Sequence, residues 1–333
     1  MDLINVMASV KRFLHLLDDC FPTVVEEYTE NKVSYEHKVT LRYNHPDALL
    51  HFSEFLSSED GKTKVENGVG GLQGLSADVN NLTLMALEGT VGLLAELLRA
   101  CEHLQAAYPE LKDASNKLFR KIIATLLNMA VEPSVAREII GEDKVLEILV
   151  MILEKFTDVH LQQLAACTLR NLCLDETLCK IVGNENGMLP LLHLLRKSPD
   201  PCVQRNCADG LRFLCIDNEH AVTLIKAGVV KTAVAMLSRN DPIVQTNCAY
   251  IISALSVNFI EAALHVRQEG GVPLLISMLH ESQPLHLRRA VSNALANLSS
   301  HTVQSRAAFR KDIIPTSVSD LHQLFVTLSG SPR

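Results

Sequence analysis

Tryptophan is absent from all 333 residues, and aromatic side chains make up only 5% of them. A surface that stacks unpaired bases on aromatic rings is poorly supported by that composition. An excess of positive charge is absent too. Thirty-one Lys and Arg stand against 38 Asp and Glu, a net charge of −7, so no global field draws the chain to nucleic acid or an anionic membrane. No apolar run reaches 18 residues, which predicts no transmembrane helix and no membrane insertion. The start, Met1-Asp2-Leu3-Ile4-Asn5, is acidic and lacks a signal-peptide layout. Nine cysteines are present without a CxxC pair. That predicts a reduced, intracellular chain, cytoplasmic or also nuclear.

Motifs that carry chemistry are missing as well. Gly61-Lys62-Thr63 resembles the end of a phosphate loop, but the glycine required upstream falls on Leu56. Gly68, Gly70 and Gly71 suggest a dinucleotide turn, yet the last position of that spacing is Gln73. Thirteen histidines form no HExxH, and His280 with His286 lacks partner ligands. There is no GxSxG elbow. The expectation is no enzyme, no catalytic residue, no cofactor and no metal.

What is present is a repeat. Leu164-Ala165-Ala166-Cys167-Thr168-Leu169-Arg170-Asn171-Leu172-Cys173 returns as Asn206 to Cys215, Asn247 to Ser256 and Ala290 to Ser299, with a weaker copy at Lys121 to Ala130. The anchors Met129, Leu172, Leu214, Leu255 and Leu298 are spaced by 43, 42, 41 and 43. A period of roughly 40–47 in helical sequence signals a helical repeat array. Each unit reads as a short helix, a Gly-marked turn, a second helix, an Asp- or Pro-marked turn, and a long third helix. Gly187, Gly228 and Gly270-Gly271 sit where a helix end needs positive φ. Asp158-Val159, Asp200-Pro201 and Asp241-Pro242 sit where a side chain caps the third helix. Cysteines in the repeated helix fall where other copies carry small residues and read as small buried hydrophobes.

The first 110 residues are less regular. An amphipathic helix is expected over 2–18, and a strand-like alternation runs from Val33 to Tyr43. A helix can start at Pro46. Ser57 to Thr63 reads as a polar loop, and the four glycines from Gly68 to Gly74 predict poor order. Helices resume at about 80–105. The division expected is an irregular N-terminal region, 1–110, holding degenerate repeats or a cap, then repeats with a C-terminal capping helix, 111–333.

The pattern resembles the armadillo repeat family. The resemblance rests on Gly187-Met188-Leu189-Pro190-Leu191-Leu192, Gly271-Val272-Pro273-Leu274-Leu275, the two Asp-Pro turns, Leu169-Arg170-Asn171-Leu172 and Leu295-Ala296-Asn297-Leu298. It implies an all-α, right-handed superhelical solenoid whose third helices line a concave groove. In that family a ladder of Asn side chains holds the backbone of an extended peptide, which an amide can do because it donates and accepts at once. The ladder position here carries Asn128, Asn171, Phe213, Ala254 and Asn297. Import receptors of this fold place Trp four residues earlier. Ala124, Cys167 and Asn293 stand there, which disfavours a nuclear-import receptor.

Charge adds to this. Arg120, Lys121, Arg170, Arg205, Arg212, Arg288 and Arg289 lie on third helices against one mid-helix acid, Asp209. The candidate partner-binding residues are Asn128, Arg170, Asn171, Arg205, Arg212, Phe213, Tyr250, Arg289 and Asn297. The expected function is a protein-binding adaptor or scaffold that holds an extended, acidic or phosphorylated segment. The alternatives are a chaperone cofactor embracing a folded domain and a structural subunit of a cytoskeletal or ciliary assembly.

Overall fold

A computed structural model describes residues 53–300, apart from 55, 88, 133 and 136–144. The helix expected over 2–18, the alternation at 33–43 and the C-terminal capping helix lie outside the described residues. Within them the protein is all-α, and no strand is present among the described residues. The chain divides into two compact units, Met1–Leu172 and Cys173–Arg333.

The first unit holds α1 (Glu59–Ser76), α2 (Val79–Leu87), α3 (Thr90–Ala107), a 3-10 turn (Pro109–Leu111), α4 (Lys112–Met129), α5 (Val145–Lys155) and α6 (Val159–Leu172). α4 is the hub and packs on α1, α3 and α6. The polar loop expected at Ser57 to Thr63 is instead the start of α1. Ser58 caps it by accepting from the Gly61 amide at 3.0 Å, and Glu59 and Asp60 favour the positive helix start. The glycine stretch is also helical, because Val65, Val69, Leu72 and Leu75 form a buried stripe around it. Burial of that stripe outweighs the roughly 1 kcal/mol that each helix-interior glycine costs. α1 takes the place of a third helix in an earlier repeat, with α2, α3 and α4 following as the next three helices.

The second unit contains three full repeats among the described residues. The first is α7 (Glu176–Asn184), α8 (Met188–Lys197) and α9 (Pro201–Leu214). The second is α10 (Asn218–Lys226), α11 (Val229–Leu237) and α12 (Pro242–Asn258). The third is α13 (Ile260–Gln268), α14 (Gly271–Ser277) and α15 (Leu285–Ser300). Third helices stack on third helices, α9 on α12 and α12 on α15. The anchors Leu214, Leu255 and Leu298 are buried between them, so each repeat completes its core only against a neighbour.

Two turn devices recur. Asp158, Asp200 and Asp241 accept from the first free amides of α6, α9 and α12, as at Val203 (2.9 Å) and Val244 (3.2 Å). Four residues on, Gln162, Gln204 and Gln245 reach back to carbonyls ending the preceding helix, Phe156 (2.7 Å), Ser198 (2.8 Å) and Leu237 (2.9 Å). Together they satisfy donors and acceptors that helix ends leave open. At the other turn, Gly228 and Gly270 take φ of 85° and 75°, as expected. Gly187 does not: its φ is −64°, and Asn186 before it holds the left-handed position at 63°. Asn tolerates that region through its short polar side chain. Gly187 is needed for space, since a Cβ there would meet the Val182 carbonyl oxygen at 2.8 Å.

Candidate protein-binding face

The third helices carry every candidate residue, and the described contacts assign several of them structural partners. Arg205 on α9 donates through Nε to Asp241 at 2.8 Å. Asp241 is the capping residue of α12, so this pair pins the start of one third helix to its predecessor. Arg120 on α4 does the same to Asp158, the cap of α6. The two arginines share one repeat position, nine residues before Met129 and Leu214.

The ladder amides also tie helices together. Asn128 donates to Ser76 Oγ on α1 at 3.0 Å. Asn297 on α15 donates to the Ser253 carbonyl (3.2 Å) and hydroxyl (2.9 Å) on α12. Asn171 differs, because its carbonyl oxygen accepts from Arg170 Nη1 at 2.7 Å. Arg289 is exposed on α15.

A cluster forms where α9 meets α12. The Arg212 guanidinium lies 4.3 Å from the Phe213 ring centroid and 5.3 Å from that of Tyr250. Asp209, one turn earlier, accepts from its Nε at 3.0 Å and Nη2 at 2.8 Å. The side chains of Arg212 and Asp209 are 29% and 15% exposed. This is a cation held by two π faces and one carboxylate. One edge of its fork points at Asp209; the other edge keeps its remaining donors. Arg212, Phe213 and Tyr250 were each candidates from the sequence, and the structure brings the three together. The i,i+3 acid–base spacing of Asp209 and Arg212 was the signal for this pairing, and it went unread.

No group of three metal-binding side chains gathers among the described residues, and no single described helix is long and apolar enough to cross a membrane.

An armadillo/beta-catenin-like repeat model matches residues 261–300, the span of α13, α14 and α15. Solved structures of the same architecture cover most of the chain. The fold is that of armadillo repeats. An engineered protein is 22% identical with a TM-score of 0.62, over 74% of this chain and 94% of its own. A designed armadillo repeat protein is 17% identical with a TM-score of 0.62, over 78% and 98%. A second, solved in complex with peptide (KR)4, is 16% identical with a TM-score of 0.58, over 80% and 100%. No curated protein matches the chain. The armadillo fold commonly mediates protein binding, and its third helices are where this chain concentrates its arginines.

Proposed function

We propose that this armadillo array is a non-enzymatic scaffold that holds an extended, acidic or phosphorylated partner segment along its third helices. The Arg212 cluster carries the reading. Its guanidinium is oriented in advance by Phe213, Tyr250 and Asp209, so little side-chain entropy is lost when a carboxylate or phosphate meets its open edge. Arg205 is occupied by Asp241 and contributes chiefly by fixing α12. Arg170 and Arg289 add positive charge, and Asn171 adds an amide suited to backbone recognition. The designed relative solved with (KR)4 supports peptide holding by this fold; the arginine content here argues for a ligand of opposite charge.

The test uses three synthetic peptides of equal length, one glutamate-rich, one containing phosphoserine, and (KR)4. They are titrated against the full chain by fluorescence anisotropy. The glutamate and phosphoserine peptides should bind more tightly than (KR)4, and their affinity should fall as salt rises. Arg170→Glu with Arg212→Glu should weaken them at least about tenfold, ~1.4 kcal/mol. Asn171→Ala should weaken them with little change in salt dependence. Preference for (KR)4, or wild-type affinity in the double variant at unchanged helix content, would refute the proposal.

A further inference from the structure

The second unit carries exposed apolar side chains in register with its repeats. Two residues after the anchors Leu172, Leu214 and Leu255 stand Leu174, Ile216 and Val257, each more than half exposed. Val131 holds the same position in the first unit and is exposed too. The first helices repeat the pattern. Val222 and Leu264 share one position in α10 and α13, and both are exposed. Single exposed hydrophobes are ordinary, but apolar residues kept at one position in successive copies form a surface. Three hollows lie where the third helices end and the first helices begin. One, of about 320 Å³, is bordered by Leu174, Phe213 and Ile216. Asn218 connects it to a second, of about 680 Å³, and Val222, Asn258 and Phe259 connect that to a third, of about 310 Å³, which Ile260 also borders. Arg205, Arg212 and Arg289 border none of them, so this furrow is distinct from the arginine face.

Its rim is acidic. Glu176 and Lys180 pair with each other at 3.2 Å. The other bordering charges are Asp217, Glu219 and Glu261 against Lys226. Asp217 is engaged in capping α10. Glu219 and Glu261 share one position in α10 and α13, are exposed, and meet no cation among the described residues. We infer that the furrow docks an amphipathic helix of a partner protein, apolar on one face and flanked by Lys or Arg. Charge selects the flanks, because two unpaired carboxylates recur at repeat spacing beside the apolar rows. Spacing selects the helix. Packed helices lie about 8–10 Å apart, close to the ~10.5 Å that seven helical residues rise. A partner helix with lysines seven residues apart therefore stays in phase with Glu219 and Glu261. Its apolar stripe, at i, i+3, i+4 and i+7, is broad enough to meet both apolar rows.

The probe is a labelled synthetic peptide of about 21 residues, ~32 Å long as a helix, with leucines on one face and flanking lysines seven apart. Its binding to the full chain is read by fluorescence anisotropy. One control scrambles the same composition, and another replaces each lysine by glutamate. Both should bind at least about tenfold more weakly than the probe. Ile216→Ser with Val222→Ser should weaken the probe at least about tenfold. Glu219→Lys with Glu261→Lys should do the same and flatten its salt dependence. The double change Arg170→Glu with Arg212→Glu should not weaken it, which separates this furrow from the arginine face. The comparison of peptides on the wild-type chain decides the matter even if a variant loses helix content. Equal binding of the scrambled or glutamate peptide would overturn the inference. So would wild-type affinity in either folded furrow variant, or loss of probe binding in the arginine variant.

Discussion

Gly183→Ala should destabilise the protein, although it replaces a helical glycine with the best helix former. Gly183 is the penultimate residue of α7. A Cβ built there would lie 2.3 Å from His220 Cε1, 2.4 Å from Nε2 and 2.6 Å from Nδ1. The imidazole is the end of a rotatable side chain, so it can swing away. It is, however, only 4% exposed, and its Nε2 is hydrogen-bonded to Asn184 Oδ1 at 3.1 Å. Swinging breaks that bond and disturbs the seam between α7 and α10. Overpacking of this kind costs about 1–3 kcal/mol, and a buried hydrogen bond left unmade costs about the same. The helix gain is at most ~1 kcal/mol and smaller this close to a helix end. The net effect should be a loss of about 1–2 kcal/mol. Gly71→Ala is the paired control. Gly71 lies inside α1, and nothing stands within 4 Å of its Cβ position, so it should gain about 0.5–1 kcal/mol. Urea denaturation followed by helical circular dichroism measures both. In a His220→Ala background the Gly183→Ala penalty should disappear. If Gly183→Ala is as stable as wild type, or if the penalty persists without His220, steric exclusion by that ring is the wrong explanation.

Other outcomes follow from the turn devices. Gln204→Ala should lower stability by about 1–3 kcal/mol in the same urea assay, because Gln204 is 8% exposed and its loss strands the Ser198 carbonyl. Asp241→Ala removes a helix cap and the Arg205 pair together and should cost about 1–2 kcal/mol, whereas Arg205→Ala, with a side chain 41% exposed, should cost less than ~1 kcal/mol. Burial pushes Asp158 and Asp217 up, but hydrogen bonds from Arg120 and the Leu161 amide to Asp158, and from the His220 and Glu219 amides to Asp217, bring both below the usual carboxylate value. A carboxylate lowered on folding stabilises above its unfolded pKa of ~3.9 and loses that contribution as pH falls through its folded value. The thermal midpoint should therefore drop as pH is taken below about 4, and Asp217→Asn, less stable at neutral pH, should drop less steeply.

The architecture was legible because periodic burial writes itself into sequence. Leu172, Leu214, Leu255 and Leu298 each fill the same site between stacked helices, so the spacing of the anchors is the spacing of the repeats. The Asp caps were legible for a similar local reason, since a helix end creates the same unmet amides each time. The Gln162, Gln204 and Gln245 device was equally available, four residues after each Asp, and went unread. α1 was misread because glycines weaken a helix locally while the buried stripe that holds it depends on α4, a partner far along the chain. The candidate site divides in the same way. The sequence placed arginines on third helices and named Phe213 and Tyr250 as candidates beside them. Only the tertiary structure decided which side chains were spoken for: Arg205 by the cap of the next helix, Arg212 by Asp209, Asn128 and Asn297 by hydroxyls on earlier third helices. Repeat spacing fixes which positions face a neighbour. What each side chain meets there depends on the atoms of the neighbouring repeat, and those differ from copy to copy.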